Sequence, residues 1–276
     1  MSLDLIWAFL RPECRAQIQE QEHQARVRAC EDAQPWDEDK TKFAKVLPLQ
    51  GATYDNPRYR LFDSKPMTSL KRRGVKDLKN LVWSPCGQYA YANRQLPQYG
   101  KLPLAQGHKR GCCFFDQAIV TPVLYEYKEG HSNELPVWMG ITPMEILTQR
   151  QGVRKAKGHC LIGGLGLGWF LWKVAEKKSV KKITLVEISQ PLLDWYGNDL
   201  VARVTEATGT EIEVICDDVL PHIGKHGDDV RHLVDIWPDY PTYDHYLPKA
   251  WREAIAHVDH FWGWGVLSDP DNYRGW

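Results

Sequence analysis

The chain has 276 residues, 43% of them apolar and 12 of them Trp, enough for one large domain or a catalytic domain with a smaller companion. Lys plus Arg and Asp plus Glu each number 35, so no net field steers the chain to nucleic acid or to an anionic membrane. Its 7 cysteines follow no regular spacing, which argues against a disulfide framework and for reduced thiols in the cytoplasm. The apolar LDLIWAFL near the start is too short to span a bilayer and follows no basic leader, so a soluble cytoplasmic protein without membrane contact is expected.

Residues 1–33 read as helix, with Pro12 at a position where a first helical turn tolerates it. QIQEQEHQARVRACEDA is polar almost all round, with only Ile18, Ala25 and Val27 as apolar anchors. Such a helix suits an arm packed on a second subunit of a homo-oligomer, or a solvated surface helix. QPWDEDK reads as a linker, giving a first division at 1–40. From 41 to 140 short apolar and aromatic runs alternate with Gly, Pro and Asn, the signature of a small β-rich or irregular accessory region. LVWSPCGQYAYA reads as two strands around a Ser-Pro-Cys-Gly turn, and GCCFFDQAIVTPVLYEY as one or two more. Lys71, Arg72, Arg73, Lys76 and Lys79 form a basic run that reads as a solvated face rather than a phosphate contact. Cys86, His108, Cys112 and Cys113 lack the two-residue spacing of a tetrahedral zinc knuckle and are expected as buried free thiols and a histidine without metal.

From 141 to 276 the pattern changes to strand and helix in alternation, which implies an α/β parallel sheet. Thr142, Pro143 and Glu145 spell a capping box that opens a helix. Cys160–Ile162 then reads as a strand, Trp169–Lys177 as a helix and Ile183–Val186 as a second strand ending in Glu187. Between the first strand and the helix lie Gly163, Gly164, Gly166 and Gly168. A chain that turns sharply there, with a ligand against its backbone, needs residues without a Cβ. The helix N-terminus offers free N–H groups, and Glu187 stands where a carboxylate accepts both hydroxyls of a ribose. The dinucleotide pattern G-x-G-x-x-G would require Gly or Ala at Trp169, whereas the chain has G-x-G-x-G. That spacing favours an S-adenosylmethionine site over NAD.

Ser189 is placed to cap the next helix, EIEVIC is a third strand followed by Asp217 and Asp218, and RHLVDI is a fourth ending near Asp235. LPKAWREAIAHV reads as a helix and FWGWGVLSD as a fifth strand. GGLGLGWF, TLVEIS, EVICDDVL and LVDIWPDYP together resemble the class I S-adenosylmethionine-dependent methyltransferases. The nearest flavour is the spermidine-synthase-like branch, in which an apolar residue, here Ile162, replaces the usual acid before the glycines. The likeness covers about residues 140–268.

The resemblance implies a Rossmann-like fold, S-adenosyl-L-methionine as cofactor and an acid that receives the adenine amino group. That acid aligns with Asp218, with Asp217 as the alternative; either could instead cap the following turn. It also implies that Met144 and Glu145 border the pocket. Ligands of open α/β sheets lie at the carboxyl ends of the strands, so the chemistry is expected in DIWPDYPTYDHY. Asp235 would orient an amine or hydroxyl acceptor, and Asp239 would be its partner or the base. Trp237, Tyr240 and Tyr243 would wall the pocket and face the sulfonium, or simply pack. The Asp/Asn-Pro-Pro-Tyr motif of DNA and protein amide methyltransferases matches only in outline, because Ile236 and Trp237 precede Pro238. A base-flipping enzyme is therefore disfavoured.

The expectation is methyl transfer to an unidentified acceptor. A rival is aminopropyl transfer with the decarboxylated cofactor, for which Asp235 and Asp239 would hold a diamine. A third reading is a non-catalytic binding or structural protein that keeps the nucleotide fold. The family's sheet closes with an antiparallel hairpin, and only eight residues follow Ser268, so that hairpin is expected to be lacking and its edge covered from elsewhere.

Overall fold

The computed structural model describes residues 43–67, 80–98, 102–106, 109–127, 137–227, 229–236 and 248–264. The expected N-terminal helix, the basic run, His108, Trp237, Asp239, Tyr240, Tyr243 and the segment after Trp264 lie outside these residues. The chain divides into two compact units, one of residues 1–54 and 96–119, the other of 55–95 and 120–275, with Trp276 assigned to the first.

In the first unit, β1 (Phe43–Leu49) pairs in parallel with β5 (Lys109–Phe115), and β5 pairs antiparallel with β4 (Leu102–Gln106). Leu96, Phe115 and Ile119 are buried together, with Tyr54 edge-on to Phe115 at 5.2 Å. The Asp116 carboxylate receives the Gly51 N–H at 2.6 Å and so satisfies the first turn of a short helix, Gly51–Tyr54.

The second unit holds two sheets. The four-stranded one runs β2 (Val82–Trp83), β3 (Tyr89–Leu96), β6 (Ile119–Glu126), β7 (Val137–Gly140) in spatial order. The Ser-Pro-Cys-Gly turn joins β2 and β3 as expected, closed by Gly87 at φ 73° and by the Ser84 hydroxyl accepting from the Tyr89 N–H at 3.0 Å. That geometry corrects the expectation for Cys86. At the tip of a tight turn its thiol is exposed, and hydrogen bonds from the Ser84 hydroxyl and the Gln88 backbone hold its pKa below the ordinary thiol value. Cys113 is buried as expected.

The five-stranded sheet has β8 (Gly158–Gly163), β9 (Val180–Glu187), β10 (Glu211–Cys216), β11 (Arg231–Val234) and β12 (Phe261–Gly263). They lie in the order β10-β9-β8-β11-β12, every pair parallel. This is an α/β, Rossmann-like sheet. Its central strands read as near-continuous apolar runs because both faces are covered. One cover is a cluster of Leu161, Val186, Val219, Val230, Val234 and Trp251. The helices are α1 (Pro143–Lys155), α2 (Trp169–Ala175), α3 (Asn198–Thr208) and α4 (Lys249–Ile255). α2 stops two residues short of Lys177, and β11 stops at Val234 rather than 236. Between β10 and β11 the only helical stretch among the described residues is a 3-10 turn, Leu220–His222.

The chain leaves β8 in one direction through β9 and β10 and returns to the other side of β8 with β11. The reversal opens a crevice at the carboxyl ends of β8 and β11, where this architecture binds ligands. α1 is held over that end of the sheet by a tight contact. A Cβ on Gly152 would lie 2.5 Å from Cε3 of Trp262 and 2.8 Å from Cζ of Phe170, rings that stack at 5.3 Å. Gly152→Ala would gain about 1 kcal/mol in helix propensity but overpack rigid rings at a cost of about 1–3 kcal/mol. A net loss of stability is expected in urea unfolding; a gain would overturn the packing of Trp262 on α1.

Candidate functional site

The site begins where β8 ends. Gly163 is still strand, and a Cβ there would meet Val219 Cγ2 at 2.9 Å. It packs on Val219 and is not among the residues that line the cavity. Gly164 follows at φ 91°, and any Cβ would stand 2.3 Å from the Asp235 carbonyl oxygen. Only glycine permits this turn at this distance. The loop then runs Leu165–Gly168 along the cavity wall.

Glu187 ends β9 with only 5% of its surface exposed. Its Oε2 accepts from the Leu165 N–H and its Oε1 from the Ser189 N–H, both at 2.8 Å. A buried carboxylate needs such donors, and charge-assisted bonds of this kind are the strong ones. Glu187 therefore ties the glycine loop to the end of β9 and borders the cavity at once. Ser189 caps the next helix as expected, accepting from the Leu192 N–H at 3.4 Å.

The cavity has a volume of about 410 Å³ and lies at the carboxyl ends of β8, β9, β10 and β11. At its floor three side chains meet. Asp235 follows β11; Glu145 and Gln149 stand one turn apart on α1, the spacing that puts them on one face. The Gln149 amide nitrogen donates to Glu145 Oε1 at 2.6 Å and also to Asp235 Oδ2. Gln149 Oε1 is buried and takes no hydrogen bond among the described residues. Burial pushes the Asp235 carboxyl up to about 7, opposed by the Gln149 bond. Burial, and then the charge of Asp235, hold Glu145 well above the ordinary carboxylate range.

Half of the expected capping box forms. Thr142 Oγ1 accepts from the Glu145 N–H at 3.2 Å, but the Glu145 side chain turns to Gln149 instead of back to Thr142. Met144 is not among the lining residues; Glu145 is. The partner of Asp235 among the described residues is thus Glu145, reached through Gln149.

Asp217 and Asp218, at the end of β10, both line the cavity. Both Asp217 oxygens are engaged, Oδ1 by the Asp218 N–H at 2.8 Å and Oδ2 by His222 Nε2 at 2.9 Å. The His222 contact, followed by the Asp218 N–H, lowers the Asp217 pKa. Asp218 Oδ1 caps the following turn through the Leu220 N–H at 2.9 Å, while its Oδ2 takes no hydrogen bond among the described residues. Ile188, 72% exposed, lies at the cavity edge beside them.

The cavity's described aromatic walls come from Trp138, Trp169, Trp251 and Trp264, with Phe170. Trp138 of β7 stacks on Tyr89 at 5.4 Å, and the Tyr89 hydroxyl meets Ser189 Oγ at 3.2 Å, so the four-stranded sheet closes one side. Sequence reasoning missed Gln149, Trp138, Ile188 and Trp264. The four-residue step from Glu145 to Gln149 was the one signal available for any of them. Among the described residues no three His, Cys, Asp or Glu side chains gather as a metal site, and no helix is long and apolar enough to cross a membrane.

No family model and no curated protein matches the chain. Solved structures with some likeness include a protein-L-isoaspartate O-methyltransferase, at 20% identity, TM-score 0.25, 40% of this chain and 33% of that one. Mycobacterium tuberculosis shikimate dehydrogenase has 18% identity and TM-score 0.27, over 42% of this chain and 49% of that one. A Thermococcus litoralis Δ1-pyrroline-2-carboxylate reductase, solved with NADH and L-proline, has 14% identity and TM-score 0.27, over 56% and 50%. This chain spans between a third and a half of the length of each.

The acid pair makes stability depend on pH. Between the unfolded carboxylate value of about 4 and the folded value of about 7, the folded state keeps a proton that the unfolded state has lost. Stability therefore falls as pH rises through this window, by at most about 1.4 kcal/mol per pH unit for one proton, and levels off above it. Asp235→Asn should flatten that slope when urea midpoints are compared from pH 5 to pH 8. An unchanged slope would show that the proton responsible for it does not sit on Asp235.

Proposed function

We propose that this chain binds S-adenosylmethionine and transfers its methyl group to an acceptor still to be identified. The charge of the cavity carries this reading. Its described lining has five acidic side chains, Glu187, Asp217 and Asp218 together with Glu145 and Asp235, where burial favours the proton, and no Lys, Arg or His. A dinucleotide brings a doubly negative pyrophosphate, which would meet like charge there; a sulfonium with an ammonium group brings the opposite sign. Gln149 Oε1, without a partner among the described residues, would accept from a donor, and an ammonium N–H is one.

On this reading Glu187 would hold the ribose hydroxyls, since each of its oxygens keeps a lone pair beyond its backbone bond. Asp218, with Oδ2 open, would receive the adenine amino group, while Ile188 and Val219 would offer apolar surface to the purine. The glycine loop would face the amino-acid carboxylate with its N–H groups, and Glu145, Gln149 and Asp235 would take the ammonium end. When bound, the cofactor supplies a methyl group made electrophilic by its sulfonium. The chain's part is to hold the acceptor in line with it.

Aminopropyl transfer is a second reading, because the Glu145–Asp235 pair also suits the amine of a decarboxylated cofactor. Calorimetric titration separates the readings. S-adenosylmethionine and S-adenosylhomocysteine should bind and NADH and NADPH should not. Asp218→Ala should weaken both adenosyl ligands about tenfold or more, the loss of one charge-assisted hydrogen bond of about 1.5–3 kcal/mol. Tighter binding of the decarboxylated cofactor would select aminopropyl transfer. Binding of a dinucleotide alone would sink both.

A further inference from the structure

The helix after β9 does not keep one pitch. Gln190–Leu192 is α-helical, Leu193–Gly197 is π-helical, and Asn198–Thr208 is α-helical again. A π turn inserts an extra residue, is rare, and concentrates at functional sites. Here it lies directly beneath the glycine loop. Tyr196, within the π turn, is buried, and its hydroxyl donates to the carbonyl oxygen of Gly166 at 2.7 Å.

The neighbouring contacts are equally close. A Cβ on Gly197 would lie 2.9 Å from Leu165 Cδ2, and one on Gly168 would lie 2.3 Å from Leu200 Cδ2. Loop and helix thus interlock at three consecutive points: Leu165 on Gly197, Gly166 on Tyr196, Gly168 on Leu200. Of these, only the Tyr196 contact is a directed bond. The phenol is also held from behind. Phe62 meets Tyr196 edge-on at 6.3 Å, stacks on Trp195 at 4.9 Å, and meets Tyr91 of β3 at 5.1 Å. Phe62 is itself fixed, because its carbonyl and that of Ser64 accept from the Asn93 amide at 3.2 and 3.0 Å.

We infer that Tyr196 is a positioning residue of the ligand site: its bond to Gly166 lets the π turn fix the glycine loop in the shape that receives the amino-acid end of the ligand. The choice of ligand rests on the adenosyl-sulfonium reading above; the restraint on the loop does not. A π turn serves this end because it places the hydroxyl under the loop while Leu192 before it, Leu193 at its start, and Leu200, Val201 and Val204 after it all stay buried.

Tyr196→Phe keeps the ring and removes only the donor. Three quantities are to be read on the purified full chain: thermal unfolding, backbone amide exchange at Leu165–Gly168, and calorimetric affinity for S-adenosylhomocysteine and 5′-methylthioadenosine. The second ligand has the same nucleoside without the amino-acid end. The loop amides should exchange about tenfold faster while those of β8 stay unchanged, the equivalent of about 1.4 kcal/mol. S-adenosylhomocysteine should bind about tenfold more weakly, with 5′-methylthioadenosine unaffected. A purely structural tyrosine would instead weaken both ligands alike, together with global stability, and that result would overturn the inference. So would unchanged loop exchange. If the wild-type chain binds neither nucleoside, the proposed function fails and the exchange measurement alone decides the role of Tyr196.

Discussion

The arrangement depends on a buried carboxylate. Glu187 is enclosed at the end of β9, and an ionised group in that position is tolerable only if donors surround it. It obtains them from the backbone N–H groups of Leu165 and Ser189. One comes from the glycine loop and the other from the start of the following helix, so the same charge aligns three segments. Ser189 in turn meets Tyr89 of the four-stranded sheet. A residue expected to serve only a ligand is also a structural hub, and its two duties do not compete because each oxygen has more than one lone pair.

Around that hub the backbones approach more closely than side chains allow. Gly164 abuts the Asp235 carbonyl, and Asp235 donates its N–H to the Gly163 carbonyl at 2.9 Å. The ends of β8 and β11 are thereby locked at the point where the strand order reverses. The lock brings Asp235 under α1, where Gln149 bridges it to Glu145. Two carboxylates in one buried place disfavour double ionisation, and the shared amide N–H relieves only part of that cost. Such a floor is poised to receive positive charge.

The glycine turn, the acid on the second strand, the acids after the third and the parallel sheet were all legible in the sequence, because each depends on residues adjacent in the chain. The Ser84–Gly87 turn was legible for the same reason. The pairing of Glu145 with Asp235 was not, since it joins a helix and a strand end some ninety residues apart, and the capping pattern offered Glu145 a sufficient local role. Cys86 was misjudged because thiols usually bury, whereas turn geometry projects this one outward. The π turn left no trace, as one extra residue in an amphipathic helix shifts the apolar pattern by less than its natural scatter. Trp138 entered the site on β7, a strand the sequence reading did not expect, at the edge of a sheet whose placement against the cavity no local pattern encodes.

The outermost strand of the parallel sheet has a further bearing. β10 pairs only with β9 among the described residues, so its other edge presents unpaired backbone groups, a template on which another chain could polymerise. Glu211 and Glu213 stand on that strand, both bound to Lys182 at 3.2 and 3.1 Å. Exposed ion pairs of this kind contribute little to folding. A second strand laid along β10 would lie beside two carboxylates, those of Glu211 and Glu213. Charged side chains on an edge strand disfavour edge-to-edge pairing, and β10 ends at Cys216, which delivers Asp217 and Asp218 to the cavity.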